Sequence, residues 1–338
     1  MAVPIRRLAK QIVAFLIYYT GVFDLIRFVN GIKGGCVTIV TFHRVGKEGC
    51  RDMKYSLPNL FISREAFEEV IRFFRREFSP ISFREFLHAA ENQGKITRNA
   101  IVITFDDGYE DNYIHAFPVL REYRVPATFF LTSSFIDSNK TFWWDRMFHA
   151  LRQMKPSEEY DGEEICTFIS GLSGVREEEI KQALVAVENS GVEETREFSS
   201  RNRMLSWNQV REMKESGMTF GSHSRTHVNL NRVTKPRLME ELLASKREIE
   251  RNLGEEVLFF AYPGGSFSEG VNDAVIECGY RCACSTESGV NHIDTNLFGL
   301  KRINIWQGAV SGVRGGFSKS LLAMHLLRHC RNTSKIRQ

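Results

Sequence analysis

The sequence predicts an α/β fold in which parallel strands alternate with helices, interrupted by one helical insertion. Short apolar runs such as Thr128-Phe129-Phe130-Leu131, in a chain with 26 Phe, suit buried strands better than surface helices. Amphipathic segments lie between these runs, and that alternation argues for parallel β/α architecture. Ionisable residues also stand just past the predicted strand ends: His43, Asp106, Asp107 and His223. In a parallel β/α barrel those ends share one face, and active sites form there.

The elements follow in order. Cys36-Val-Thr-Ile-Val-Thr-Phe42 reads as a strand from its β-branched content and ends at His43. Ser63 caps a helix whose Phe67, Val70, Ile71 and Phe74 recur at helical spacing. Ser82 to Ala90 repeats that pattern. Ala100-Ile-Val-Ile-Thr-Phe105 is a second strand, ending in Asp106-Asp107-Gly108. Pro118 and Leu120 belong to the next helix, and Pro126 precedes a strand from Ala127 to Leu131. The stretch from about Ile136 to Ser206 is charged, holds Glu-rich helical runs and lacks strong strands, so it reads as a helical insertion. The core pattern resumes with a helix opened by Ser206 and a short strand from Thr219 to Ser222. A long amphipathic helix spans about Pro236 to Leu253, with Leu238, Leu242, Ile249 and Leu253 on one side. Val257 to Ala261 is another strand, and Arg302 to Trp306 the last.

Length and composition bound the function. The 338 residues, 43% of them hydrophobic, suffice for one large domain or two ordinary ones. A net charge of +4, from 45 basic and 41 acidic residues, does not indicate nucleic acid. Basic residues gather at the ends: Arg6, Arg7 and Lys10, then Arg328, Arg331, Lys335 and Arg337. The seven Cys form no Cys-x-x-Cys pair, which argues against a structural zinc site and favours a reducing compartment. The apolar run Ile12 to Phe23 follows basic residues as in a signal peptide, but no small-x-small cleavage site follows it. It is short for a spanning helix. An amphipathic helix lying on a membrane or on the domain is the expectation, an uncleaved anchor the alternative. A cytoplasmic location, or one peripheral to the inner membrane, is favoured.

Thr104-Phe-Asp-Asp-Gly108 is the sharpest feature. Adjacent carboxylates repel, and a nearby cation relieves the repulsion. Taken alone, an Asp-Asp-Gly is most often a solvated turn. His223-Ser-Arg-Thr-His227 changes that balance. Two His four apart fall on one face if the segment turns helically, which suits one metal ion. Asp107, His223 and His227 are therefore the expected ligands of a divalent metal, most plausibly zinc, with cobalt or nickel as alternatives. Such a cation acidifies water and polarises a carbonyl. Asp106 is the expected base, and His43 the candidate acid for a leaving amine. Tyr262-Pro263-Gly264-Gly265 also follows a strand, and the Gly264 N–H is the candidate oxyanion donor. Trp144 either stacks on a sugar face or anchors the insertion.

Taken together, Thr-Phe-Asp-Asp-Gly at 104–108, His-Ser-x-x-His at 223–227 and Phe-Ala-Tyr-Pro-Gly-Gly at 260–265 resemble polysaccharide deacetylases with the NodB-homology domain, carbohydrate esterase family four. The likeness runs from about Val37 to Trp306. It implies an irregular (β/α) barrel that removes acetyl groups from sugars, with Asp106 as base and Asp107, His223 and His227 as ligands. Two departures stand out. Ala261 occupies the place of an Arg that orients the catalytic Asp in many members, and Arg302 is the candidate substitute. The usual late Leu-x-His motif is missing. Instead, Thr41-Phe42-His43-Arg44-Val45 resembles the early motif of a circularly shifted subgroup, in which this His supplies the acid.

The expected organisation is an N-terminal apolar or amphipathic segment at 1–34, a NodB-like catalytic domain at 35–310 with its insertion at about 137–205, and a basic C-terminal helix and tail at 311–338. The expected partner is an N-acetylated glycan or lipid-linked sugar, with peripheral membrane contact and no nucleic acid. The competing functions are a carbohydrate-binding protein that keeps the pocket without turnover, and a membrane-attached structural partner in an assembly complex. A free base at Asp106 argues against a mere binder.

Overall fold

The computed structural model describes residues 5–32, 35–47, 55–154, 162–172, 175–189, 195–265 and 267–330. Cys50 and the tail carrying Arg331, Lys335 and Arg337 lie outside the described residues. The strands are β1 (Cys36–Phe42), β2 (Arg44–Gly46), β3 (Phe61–Ser63), β4 (Ser79–Pro80), β5 (Ala100–Phe105), β6 (Ala127–Leu131), β7 (Thr219–Ser222), β8 (Phe259–Ala261), β9 (Cys282–Cys284), β10 (Asn291–His292) and β11 (Ile303–Asn304). Nine of them form one open, strongly curled sheet in the order β10-β1-β5-β6-β7-β8-β9, with β11 on β1 and β4 on β5. Within that sheet only the β1–β10 pair is antiparallel among the described strands. The outer edge of β1 is shared: β10 pairs with Cys36 and Val37, β11 with Val40 and Thr41. The last strand is shorter than its sequence suggested, as is β8. The sequence reading had no strand at β2, β3, β4, β9 or β10, each of two or three residues and too brief for period to betray it.

Register explains much of the phenylalanine content. Phe42, Phe105, Phe129 and Phe220 are cross-strand neighbours on β1, β5, β6 and β7. Their rings form a ladder with centroid separations of 5.4, 4.6 and 5.8 Å, inside the favourable range for aromatic pairs. Phe67 closes on it edge-first, 5.1 Å from Phe42. The first two rungs immediately precede His43 and Asp106, and the Asp106 N–H donates to the Phe42 carbonyl at 3.0 Å. The ladder thus fixes the level at which those two side chains leave the sheet.

The helices are α1 (Ile5–Tyr19), α2 (Val22–Ile32), α3 (Arg64–Glu77), α4 (Phe83–Glu91), α5 (Phe117–Glu122), α6 (Trp143–Met154), α7 (Gly162–Gly171), α8 (Glu177–Glu188), α9 (Arg196–Arg201), α10 (Trp207–Glu215), α11 (Lys235–Leu253), α12 (Glu269–Glu277), α13 (Gln307–Val310) and α14 (Lys319–Cys330). Ser63 caps α3, and Ser82 and Ser206 build reciprocal capping boxes with Glu85 and Gln209. Gly254, at φ 64°, ends α11 in the left-handed region that glycine adopts most readily. Helices α6 to α8 bury Trp144, Phe148, Ile165, Ile169 and Leu184 in a cluster of their own, which Tyr109 enters from the barrel side. At the N-terminus, α1 packs on α14 through Ala14, Leu321 and Met324. No described helix is long and apolar enough to cross a membrane.

Candidate active site

Five strand ends deliver the chemistry. Asp106 and Asp107 follow β5, His43 follows β1, His223 follows β7, and the Tyr262 turn follows β8. Arg302 precedes β11, whose parallel pairing with β1 carries it inward. There its guanidinium grips Asp106 from two sides: Nη1 donates to Oδ1 and Nη2 to Oδ2, each at 2.7 Å. Arg302 Nε donates to the Ser285 carbonyl at 3.0 Å, and Nη1 also reaches the hydroxyls of Thr41 and Thr104 at 3.3 and 3.4 Å. Both partners are buried. Burial alone would raise the Asp106 pKa; the Arg302 charge outweighs it, helped by His223 and His43, and holds the carboxyl well below the usual range. A planar fork against a carboxylate is the geometry that arginine supplies and lysine does not.

Asp107, His223 and His227 come together beside this pair. One ligand atom from each lies within 4.8 Å of the others. Asp107 Oδ1 stands 3.5 Å from His223 Nε2 and 3.6 Å from His227 Nε2. His223 Nδ1 donates to the Ala261 carbonyl at 2.7 Å, which fixes the tautomer and leaves the Nε2 lone pair facing Asp107. The donor set fits a divalent cation: two imidazoles kept neutral by burial and one carboxylate. Burial also pushes Asp107 well above its ordinary pKa, and the Asp106 and Asp145 carboxylates add to that. A cation is what this cluster lacks electrostatically.

The backbone at this trio corrects one expectation. The segment from His223 to His227 does not turn helically. Ser224 and His227 sit at φ 63° and 60°, and Asp107 at φ 76°. Left-handed backbone at non-glycine residues costs about 1–3 kcal/mol each and survives where surroundings enforce it. Glu241 of α11 is the enforcer. It is fully buried, and its Oε2 accepts from the Arg225 and Thr226 N–H groups at 2.9 and 2.7 Å, while Oε1 accepts from the Thr226 hydroxyl at 2.6 Å. The His227 N–H donates to Ser224 Oγ at 3.0 Å. Gly108, at φ 88°, turns the chain away directly after the Asp pair.

His43 Nε2 lies 3.9 Å from Asp106 Oδ2. Burial pushes its pKa down to about 4; Asp106 opposes this, and Arg302 and His223 reinforce it. Gly264 is exposed at φ 65° in the turn after β8. Tyr262 is buried under that turn: its N–H donates to the Cys284 carbonyl at 3.0 Å and its hydroxyl to the Phe298 carbonyl at 3.0 Å. Trp144 lies between the insertion and the trio. It is 7% exposed, stacks on Phe142 at 4.3 Å, packs against the His227 ring at 4.6 Å and donates from Nε1 to Tyr109 Oη at 3.1 Å.

A family model described as polysaccharide deacetylase matches residues 93–283, more than half of the chain. The chain belongs to the polysaccharide deacetylase family. YxkH of Bacillus subtilis (strain 168), itself named for this family, is 22% identical over 227 residues, 67% of this chain and 59% of that protein. The chain therefore spans about three fifths of that relative's length. A protein of Staphylococcus aureus (strain MRSA252), poly-beta-1,6-N-acetyl-D-glucosamine N-deacetylase, is 20% identical over 259 residues, 74% of this chain and 69% of that one. Among solved structures, the Streptococcus pyogenes deacetylase PplD in complex with acetate superposes with a TM-score of 0.58 at 18% identity, covering 83% of this chain and 96% of that one. The superposition speaks for the fold.

Sequence reasoning missed two supports of this site. One is Glu241, hidden among the apolar positions of an amphipathic helix; an acid at a core-facing position was the available signal. The other is a buried network around Arg44. Its Nε donates to Asp111 Oδ2 at 2.8 Å, Nη1 to Asn202 Oδ1 at 2.6 Å, and its charge sits 4.3 Å from the Tyr109 ring centroid. Tyr109 in turn donates to Asp145 Oδ2 at 2.6 Å. This chain of contacts ties β2, the Asp106–Asp107 loop and the insertion together.

Two outcomes follow for the cation site. Glu241→Gln keeps the shape of the side chain but replaces one acceptor oxygen by a donor, which opposes an N–H or hydroxyl of the loop. Cation affinity is expected to fall about 10–100-fold, the usual cost of losing a residue that positions a ligand, as calorimetry would read. An unchanged affinity would show that the loop holds its shape without Glu241. Second, burial raises the Asp107 pKa and lowers those of the two imidazoles, so protons compete with a cation chiefly at Asp107. Affinity should weaken steadily as pH falls, and titrations in buffers of differing ionisation enthalpy should record proton release.

Proposed function

We propose that this deacetylase removes N-acetyl groups from amino sugars of a polysaccharide or its lipid-linked precursor. The reading rests on one arrangement: a buried carboxylate, Asp106, clamped by Arg302 at 2.7 Å beside a separate Asp107, His223, His227 trio. The name of the S. aureus relative supports an N-acetylated glycan as the substrate class. We further propose zinc as the cation and residues 35–310 as the catalytic domain. The early His43-Arg44-Val45 motif would mark this chain as one of the circularly shifted members.

The trio would hold the cation, which supplies acidification of water and polarisation of the acyl carbonyl. Asp106 accepts the water proton. A carboxylate held this firmly in its charged form is a weak base, so it can act only on water that is already acidified. His43, with a pKa near 4, starts neutral at neutral pH. The proton it delivers to the leaving amine therefore comes from within the cycle, relayed from Asp106 through one intervening water, since the 3.9 Å between them exceeds a hydrogen bond. One proton moves from water to Asp106 to His43 to nitrogen, and the site ends as it began. The Gly264 N–H is the proposed donor to the developing oxyanion.

The test is acetate release from N-acetylated oligosaccharides and lipid-linked sugars with added zinc or cobalt. Release from at least one of them, abolished by a chelator, is the expected result. Cation binding with no release from any acetylated glycan would sink the reading.

A further inference from the structure

The network around Arg44 reaches the trio through the side chain of Trp144. Its Nε1 donates to the Tyr109 hydroxyl oxygen at 3.1 Å, and an indole N–H can only donate. The Tyr109 oxygen is therefore the acceptor there, and its own proton goes to Asp145 Oδ2 at 2.6 Å. Each link of this chain has a fixed direction. Tyr109 is itself held from several sides. The Leu205 N–H donates to the Gly108 carbonyl and the Glu110 N–H to the Arg203 carbonyl, each at 2.9 Å, so the backbone is pinned before and after it. The Arg44 guanidinium lies over its ring, 4.3 Å from the centroid. Tyr109, Trp144 and Asp145 are all buried.

We propose that Tyr109 is a positioning residue for the cation site, acting on His227 through Trp144. The indole stacks on Phe142, with 4.3 Å between centroids and 9° between planes, and stacking alone would accept the ring turned over. Only one orientation puts the N–H on the Tyr109 oxygen; the other strands a donor in an apolar cluster. The hydroxyl thus selects the orientation. The selected indole packs 4.6 Å from the His227 ring at an interplanar angle of 61°, and Phe142 meets the same imidazole at 5.6 Å. His227 sits on left-handed backbone, outside any helix or strand that would set its side-chain direction. His223 takes its orientation from the Ala261 carbonyl, and His227 takes its own from the indole. The role rests on reading the trio as a cation site, which the wild-type titration tests by itself.

The experiment is calorimetric titration of the full chain with zinc, well below the unfolding temperature, with thermal unfolding of each variant alongside. The wild type should bind; a chain that binds no cation would overturn the cation site and this role with it. Tyr109→Phe keeps the ring and deletes only the hydroxyl. It should weaken zinc binding about tenfold, the low end for a residue that orients a ligand, because the effect passes through a second side chain. Trp144→Phe should cost at least as much. In the Trp144→Phe background, Tyr109→Phe should cost little more, because its route to His227 is already gone. Phe148→Leu is the control: Phe148 is buried in the same cluster, so stability should fall while zinc affinity stays. Unchanged affinity in Tyr109→Phe, or additive losses in the double variant, would overturn the proposal. So would an equal loss in Phe148→Leu, because a general loosening of the insertion would then account for the effect.

Discussion

An Arg302→Met variant is expected to lose about 3–5 kcal/mol of stability and nearly all acetate release, because removing one partner of a buried ion pair strands the other. Asp106 is almost fully buried, and burial is the largest influence on its pKa; Arg302 is what reverses the sign. Without the guanidinium, burial pushes the carboxyl pKa upward, so Asp106 carries a proton over a wider range of pH. A protonated carboxyl group is far too weak a base to take a proton from water. Activity should return only as pH rises through the new pKa. Arg302→Lys should fall between, because a single ammonium cannot satisfy both oxygens at once. Thermal unfolding and a pH–rate profile read the two effects separately. The pair Arg302→Met with Asp106→Asn should be less destabilised than the sum of its single variants, because the double variant strands no charge. Additive losses would mean that the two side chains do not act as a unit.

Asp106→Asn is the second large effect, and here the loss is kinetic. Proton transfer by a positioned side chain contributes about 10²–10⁴-fold, so kcat should drop by that factor. Cation binding should persist, since Asp107, His223 and His227 are untouched. Stability should fall modestly, because the new amide N–H₂ faces an arginine nitrogen in place of an acceptor oxygen. Acetate release and cation titration on the same preparation decide the matter. An Asn variant with undiminished kcat would move the base elsewhere even if the reaction stood.

The helices and strands near the site were legible because their determinants are local. Ser82 with Glu85, and Ser206 with Gln209, announce helix starts within four residues, and both capping boxes form. The β-branched and aromatic runs at Cys36–Phe42 and Ala100–Phe105 became strands with those same bounds. The trio was legible from spacing and residue type, although for the wrong local reason. The two histidines converge through left-handed backbone held by Glu241, not through a helical turn. Tyr262 and Trp144 lie next to motifs, and the structure adds where their side chains go. Their polar groups are spent on Cys284, Phe298 and Tyr109, contacts that sequence neighbourhood does not reveal.

The Asp pair, the two His and the strands that carry them were determined by the sequence alone, since each strand and its terminal residue are continuous in the chain. What completes Asp106 was not. Arg302 lies 196 residues away, just before the two-residue β11; the family resemblance offered it as the candidate to orient Asp106, but spacing along the chain could not bring the two together. Only the parallel pairing of β11 with β1 carries it to the carboxylate, and only a buried, water-poor setting makes that contact strong enough to overcome the cost of burying the charge. The same holds for α1. Its apolar and basic residues were plain in the sequence, but which side turns from the body was decided by Ala14 packing on α14.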